Sequence, residues 1–290
     1  MEITNTDNSL SNTKQFTDKY IETNDHVKLY IKDYGTGKPV ILIHGWPLSN
    51  EMWEYQIENL VANNYRVIAY DRRGFGKSSQ PWHGYDYDTL TDDLHAIITQ
   101  LELKNITLVG FSMGGGEVIR YLSRYGSDYV SKAVLVSSII PYLAHSNDNL
   151  DGRTPQQNEA TQNAIKKDRI GFIHDFGKNF FGVNFITNVI STPLLEYYRM
   201  LASLASPHAT LACALSLSNT DFRDELKKVT IPTLIIHGDN DKIVPKEISS
   251  DKTVKLITTN KYIVYEDAPH GLFYTNKDQL NSDLLLFLNS

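Results

Sequence analysis

Gly110-Phe111-Ser112-Met113-Gly114 follows a short apolar run, Ile106 to Val109, and precedes a helical pattern marked by Val118, Ile119 and Leu122. A serine flanked by glycines two residues to either side, at a strand-to-helix junction, is the pattern of a nucleophile held on a sharp, strained turn. The glycines answer a steric demand, because side chains at those positions would collide as the chain doubles back. Ser112 is thereby pushed out at the carboxyl end of a sheet. Gly115 and Gly116 let the following helix lie close to the strands, and its N-terminus aims free N–H groups at developing negative charge. The chemistry open to such a serine is acyl transfer. Its hydroxyl is a poor nucleophile near neutral pH, so it needs a base, and the base needs a carboxylate to orient it.

With a nucleophile on this kind of turn, the partners follow in the order acid, then base, each on a loop after a late strand. Thr233 to Ile236 leads into His237-Gly238-Asp239-Asn240-Asp241, and Tyr262 to Tyr265 leads into Glu266-Asp267-Ala268-Pro269-His270-Gly271. Among nine histidines, His26, His83, His95, His145, His174 and His208 have no late strand before them and read as surface or packing residues. His44 and His237 sit at strand ends ahead of a glycine and read as buried, backbone-bonded histidines. His270 remains as the base. Asp239 and Asp241 compete as the acid. Asp241 is preferred, because it lies on the turn farther from the strand, with Pro245 closing the loop.

Acyl transfer also requires backbone donors where the carbonyl oxygen becomes charged. One is the N–H of Met113. The other should come from the loop after the third strand, His44-Gly45-Trp46-Pro47, where Pro47 has no N–H and Trp46 is the natural donor. Trp46 can also pack over the pocket. Met113, Tyr142 and Phe181 are candidates to line an acyl pocket, with plain packing as the alternative reading.

The elements that must hold these residues are legible as patterns. Val27, Leu29 and Ile31 alternate with polar residues after the turn pair Asn24-Asp25, so Tyr20 to Asp33 reads as an antiparallel hairpin. Val40 to Ile43, Arg66 to Tyr70, Ile106 to Val109, Lys132 to Val136, Thr233 to Ile236 and Tyr262 to Tyr265 are β-branched runs without alternation, as in strands buried on both faces of a parallel sheet. Between them the period turns helical, as in Leu90, Leu94, Ile97 and Ile98 or Leu280, Leu284, Phe287 and Leu288. The expected fold is α/β: a mostly parallel sheet with an antiparallel edge hairpin and helices on both faces. The alternation stops between Pro141 and Val229. Residues 141–229 are therefore expected to form an inserted helical cap, residues 16–140 and 230–290 the α/β core, and residues 1–15 a flexible polar arm.

Composition narrows the function classes. The chain has 290 residues, 28 basic and 34 acidic, for a formal charge of −6, so it lacks the electrostatic footprint that nucleic acid requires. A single cysteine, Cys213, forbids an internal disulfide and any cysteine-cluster zinc site, which suits a reducing compartment. No signal-peptide core stands in the first twenty residues and no run of about 18 apolar residues occurs. A cytoplasmic protein without a membrane span is expected.

Five motifs in one order, His44-Gly-Trp-Pro, Asp71-Arg-Arg-Gly-Phe-Gly-Lys-Ser-Ser, Gly110-Phe-Ser-Met-Gly-Gly-Gly-Glu, His237-Gly-Asp-Asn-Asp and Ala268-Pro-His-Gly, carry a family resemblance. From about Tyr20 onward the chain resembles the α/β-hydrolases of the cofactor-free, non-heme chloroperoxidase, bromoperoxidase and arylesterase group. The resemblance implies the α/β-hydrolase fold, a triad of Ser112, Asp241 and His270, oxyanion donors at Trp46 and Met113, and no cofactor or metal. It further implies a small ester or carboxylic acid as substrate, with hydrogen peroxide and halide as further reactants. A homo-oligomer is allowed. In such families a proline at the position of Pro47 accompanies perhydrolase activity, and Pro47 restricts Trp46 so that its carbonyl could bind peroxide, though Pro47 can equally just shape the loop. Gly74-Phe-Gly76-Lys77-Ser78 mimics the end of a phosphate-binding loop, but Asp71 stands where that motif needs glycine, so it reads as a structural turn. The competing class is a ligand receptor that keeps the hydrolase pocket and acts through a partner.

Overall fold

The computed structural model describes residues 19–183 and 189–290. The expected arm, residues 1–15, lies outside the described residues. A hairpin of β1 (Lys19–Glu22) and β2 (Lys28–Tyr34) opens the fold. The other strands are β3 (Lys38–Ile43), β4 (Tyr65–Tyr70), β5 (Ile106–Phe111), β6 (Val130–Val136), β7 (Thr233–Gly238) and β8 (Asn260–Tyr265). They form one sheet in the order β1-β2-β4-β3-β5-β6-β7-β8. β2 runs antiparallel to both its neighbours, and every pairing from β4 to β8 is parallel.

The uninterrupted apolar runs have their cause in burial on both faces. Every residue of β5 is buried. Ile106 and Leu108 join the core on one side, with α2 (Tyr87–Gln100) and α3 (Met113–Tyr125), whereas Val109 and Phe111 join the core on the other, with α1 (Glu54–Ala62) and the C-terminal helix Lys277–Leu288. α2 begins where the Asp86 side chain accepts the Thr89 N–H at 3.0 Å, and it lays Leu90, Leu94, Ile97 and Ile98 on the sheet.

Between β6 and β7 run α4 (Pro155–Lys167), α5 (Arg169–Phe180), α6 (Thr192–Ser203) and α7 (Pro207–Asn219). Each starts at a side-chain cap, from Thr154, Asp168, Ser191 and Ser206, and three of them carry proline in the first turn. No single helix among the described residues is long and apolar enough to cross a membrane.

The chain goes from β3 outward to β4, then returns to the other side of β3 for β5, so the strand order reverses between β3 and β5. Loops leaving the carboxyl ends of strands at such a reversal diverge and leave a crevice. Pairing of Ile43 with Gly110 sets the His44-Gly45-Trp46 loop beside Ser112 in that crevice.

Candidate active site

Ser112 caps α3 with φ 52° and ψ −115°, a left-handed backbone conformation that a side chain adopts only under constraint. The constraint is visible in its neighbours. A Cβ on Gly110 would meet the Gly114 carbonyl oxygen at 2.5 Å, and one on Gly114 would meet the Ile43 oxygen at 2.6 Å. Gly45 serves the opposite wall, since a Cβ there would strike the Phe111 ring at 2.5 Å and crowd Ser112. Only glycine lets the β3 loop approach this closely.

The serine Oγ lies 3.0 Å from His270 Nε2, and His270 Nδ1 lies 2.6 Å from Asp241 Oδ2. All three residues are buried, Ser112 most open at 5% exposure. Asp241 Oδ1 accepts the N–H groups of Ile243 and Val244 at 2.9 and 2.8 Å, which locks the carboxylate plane. His237 Nε2 stands 2.8 Å from the Val244 oxygen and 3.2 Å from Asp241 Oδ2. Both neighbours only accept, so that nitrogen carries the proton. Burial works to raise the Asp241 carboxyl, but the facing His270 and the hydrogen bonds from His237 and His270 outweigh it and hold the group well below the usual carboxylate range. Asp239, the rival acid, is exposed at the end of β7.

His270 is held from both sides by rings: Phe111 at 5.0 Å and Phe180 at 4.9 Å between centroids. Gly271 N–H donates to the Phe180 carbonyl at 2.8 Å, which ties the histidine loop to the end of α5. Phe180 was invisible as a site residue in the sequence, being one phenylalanine among several in a segment without strand periodicity.

The N–H groups of Trp46 and Met113 donate to no protein acceptor among the described residues. Trp46 is itself fixed, its indole Nε1 donating to the Thr210 carbonyl at 2.9 Å and its ring edge-on to Phe176 at 5.4 Å. The Trp46–Pro47 peptide is cis. Beneath this loop lies a second buried network. Arg72 Nε donates to Glu117 Oε1 at 2.7 Å and Nη2 to the His44 carbonyl at 2.7 Å, while Tyr70 donates to Glu117 Oε2 at 2.7 Å. The Arg72 N–H donates to His44 Nε2 at 2.9 Å, so His44 is protonated on Nδ1, which faces the Gly45 carbonyl at 2.9 Å. Burial and the adjacent Arg72 hold His44 well below its usual range, in the neutral form. Asp71 accepts the Asn50 and Lys77 N–H groups at 2.8 Å each, so the stretch that mimics a phosphate loop is a structural turn.

Ser112 opens on a cavity of about 170 Å³ walled by Trp46, Ile139, Leu143, Phe172, Phe176 and Leu217, with Arg153 and Lys242 as its charged side chains. The side chains of Pro47, Tyr142, Phe181 and Met113 do not line this cavity. Pro47 and Phe181 line a separate small cavity, because Phe181 turns into a packed group with Phe180, Tyr198 and Phe273. Tyr142 faces an outer cavity, its ring 5.1 Å under the Arg223 guanidinium. The Met113 side chain is fully buried in the core, leaving only its backbone to the site. Cys213, on α7, is buried within reach of the charges on Arg72 and Glu117, and burial pushes its thiol up to about 12.

The sheet, its reversal and the serine turn define an α/β hydrolase. Residues 38–277 match the α/β hydrolase fold family, and the chain belongs to it. Among individual proteins it is similar to the crystal structure of a bromoperoxidase from Bacillus anthracis, with TM-score 0.92 and 48% identity over 94% of this chain and 100% of that one. It is 39% identical to the non-heme chloroperoxidase CPO-A1 of Kitasatospora aureofaciens, over 92% of this chain and 98% of the relative. It is 38% identical to the bifunctional esterase/perhydrolase DCH of Acinetobacter calcoaceticus, over 93% and 99%.

Proposed function

We propose that the protein is a serine esterase whose acyl-enzyme passes its acyl group to water or to hydrogen peroxide. Ser112 Oγ attacks the ester carbonyl carbon as its proton moves to His270 Nε2, and Asp241 holds the imidazole in the tautomer that can accept it. The carbonyl oxygen gathers charge facing the free N–H groups of Trp46 and Met113. Collapse breaks the bond to the alkoxide, which leaves with the proton from His270. Water then yields the acid; peroxide, attacking through one oxygen while giving its proton to His270, yields the peracid. The peracid transfers an oxygen to bromide, giving hypobromous acid and the carboxylate, a balanced two-electron step that uses the protein only to make the peracid.

The observation that supports this reading best is the row Ser112–His270–Asp241 at 3.0 and 2.6 Å beneath a mostly apolar cavity. The peroxide branch is supported by the similarity to the esterase/perhydrolase DCH and to the non-heme chloroperoxidase CPO-A1. Residues 141–229 act as the cap, setting the wall opposite the serine, and the compartment is the cytoplasm. Bromination of a dimedone reagent with peroxide is measured in acetate buffer and in a buffer lacking any carboxylate. Activity confined to acetate is expected; equal rates in both reject the peracid route.

A further inference from the structure

Arg153 is placed with unusual care for a cap residue. Its N–H donates to the Leu143 carbonyl at 2.7 Å and its carbonyl accepts the His145 N–H at 2.9 Å, pinning the backbone beside the segment that follows β6. A Cβ on the preceding Gly152 would meet the Ala144 oxygen at 2.5 Å, so only glycine permits this approach. The side chain then lies against α4, where Nε donates to Asn158 Oδ1 at 3.0 Å and Nη2 to Thr161 Oγ1 at 2.8 Å. Both acceptors are neutral.

No carboxylate pairs with Arg153 among the described residues, whereas Arg72, Arg73 and Arg120 each reach one. Burial depresses its guanidinium from the ordinary range with no opposing charge to restore it. A half-buried guanidinium without a counter-ion is costly, and the cost is recovered only when an anion arrives. The two hydrogen bonds hold the fork in place and leave Nη1 without an acceptor among the described residues. That side chain lines the cavity above Ser112, which has no acidic lining residue among the described residues and a second cation, the exposed Lys242, at its wall.

We propose that the site takes short esters whose acyl chain ends in a carboxylate, with Arg153 binding that carboxylate while Ser112 attacks the ester carbonyl. This rests on the acyl-serine reading above and specifies its substrate class. Guanidinium-to-carboxylate bonds are charge-assisted and directional, so Arg153 is a specificity-determining residue for the anionic end, and the apolar walls carry the methylenes between. The acyl transfer itself is unchanged: one carbonyl carbon, one alkoxide lost, the distal carboxylate a spectator.

The test is a ratio. With the full-length protein, kcat/KM is measured by pH-stat for monomethyl glutarate and for methyl valerate, which share chain length and leaving group. The wild type should favour the anionic ester by about tenfold or more, equivalent to ~1.4 kcal/mol. Arg153→Gln should lower the ratio of anionic to neutral kcat/KM by at least about tenfold, mainly through KM, and Arg153→Lys should restore part of it. A wild-type ratio near one, or a ratio unmoved in Arg153→Gln, overturns the proposal while turnover of methyl valerate leaves the acyl-serine reading standing. Failure of the wild type to cleave either ester or p-nitrophenyl acetate overturns both.

Discussion

On one side of Ser112, Asp241 holds His270; on the other, Glu117 and Arg72 hold His44. Both groups join a carboxylate to a histidine in a fully buried setting, and both lie at the carboxyl ends of neighbouring strands. They differ in what the histidine has left to do. His44 spends one nitrogen on the Gly45 carbonyl and the other on the Arg72 N–H, so its ring is a strut between two stretches of backbone. His270 spends one nitrogen on Asp241 and turns the other to a hydroxyl at the floor of a cavity. Whether a buried histidine is structural or reactive is decided by its last nitrogen. The Arg72 group also fixes the loop that offers the Trp46 N–H, so the closed network supports the open one.

The comparison predicts opposite costs for similar substitutions. Asp241→Asn keeps the shape but presents an N–H to His270 Nδ1 and forces the wrong tautomer, so kcat/KM for p-nitrophenyl acetate should fall about 10³- to 10⁴-fold, with a loss of stability well below that of Arg72→Met. Arg72→Met leaves Glu117 buried and unpaired. It should cost about 3–5 kcal/mol of stability in urea unfolding, and pairing it with Glu117→Leu should recover part of that. Equal loss of stability in Asp241→Asn and Arg72→Met would break the distinction.

A smaller effect separates the networks by pH. His44 is neutral in the fold and regains a pKa of about 6.5 when unfolded, so the stability it contributes is present above about pH 6.5 and lost as pH falls from there. Asp241, depressed in the fold, contributes stability above about pH 4 that is lost as pH falls further. Glu117 and Asp71, raised by burial, act in the reverse sense, so the difference between variant and wild type is the quantity to follow. Urea melts of His44→Gln should lose the upper part of the wild-type pH dependence and melts of Asp241→Asn the lower part. Parallel curves for all three proteins would contradict the assignment.

The two regions were also unequally legible. β3 to β7 read directly from sequence, because a strand covered on both faces keeps an apolar run with few polar residues to interrupt it, and Ser112 read from the glycines its turn requires. The acid and base were bounded by the loops after β7 and β8, and the structure brings Asp241 and His270 to Ser112. The cavity wall was not legible. α4 buries only Ile165, so nothing in its spacing says which face meets the cavity. Tyr142 and Phe181 were plausible by residue type alone, yet each packs elsewhere, while Phe172 and Phe176 sit on the wall. Arg153 carried no sequence signal, since the lack of a carboxylate partner among the described residues is visible only in three dimensions.

The central claim is a covalent acyl group on Ser112. Rapid acid quench of the protein during turnover of p-nitrophenyl acetate, followed by peptide mass mapping, should find one acetyl group on the peptide containing Ser112, with neither adduct nor turnover in Ser112→Ala. Sustained hydrolysis by Ser112→Ala, or steady turnover with the acetyl group on another residue, would contradict it.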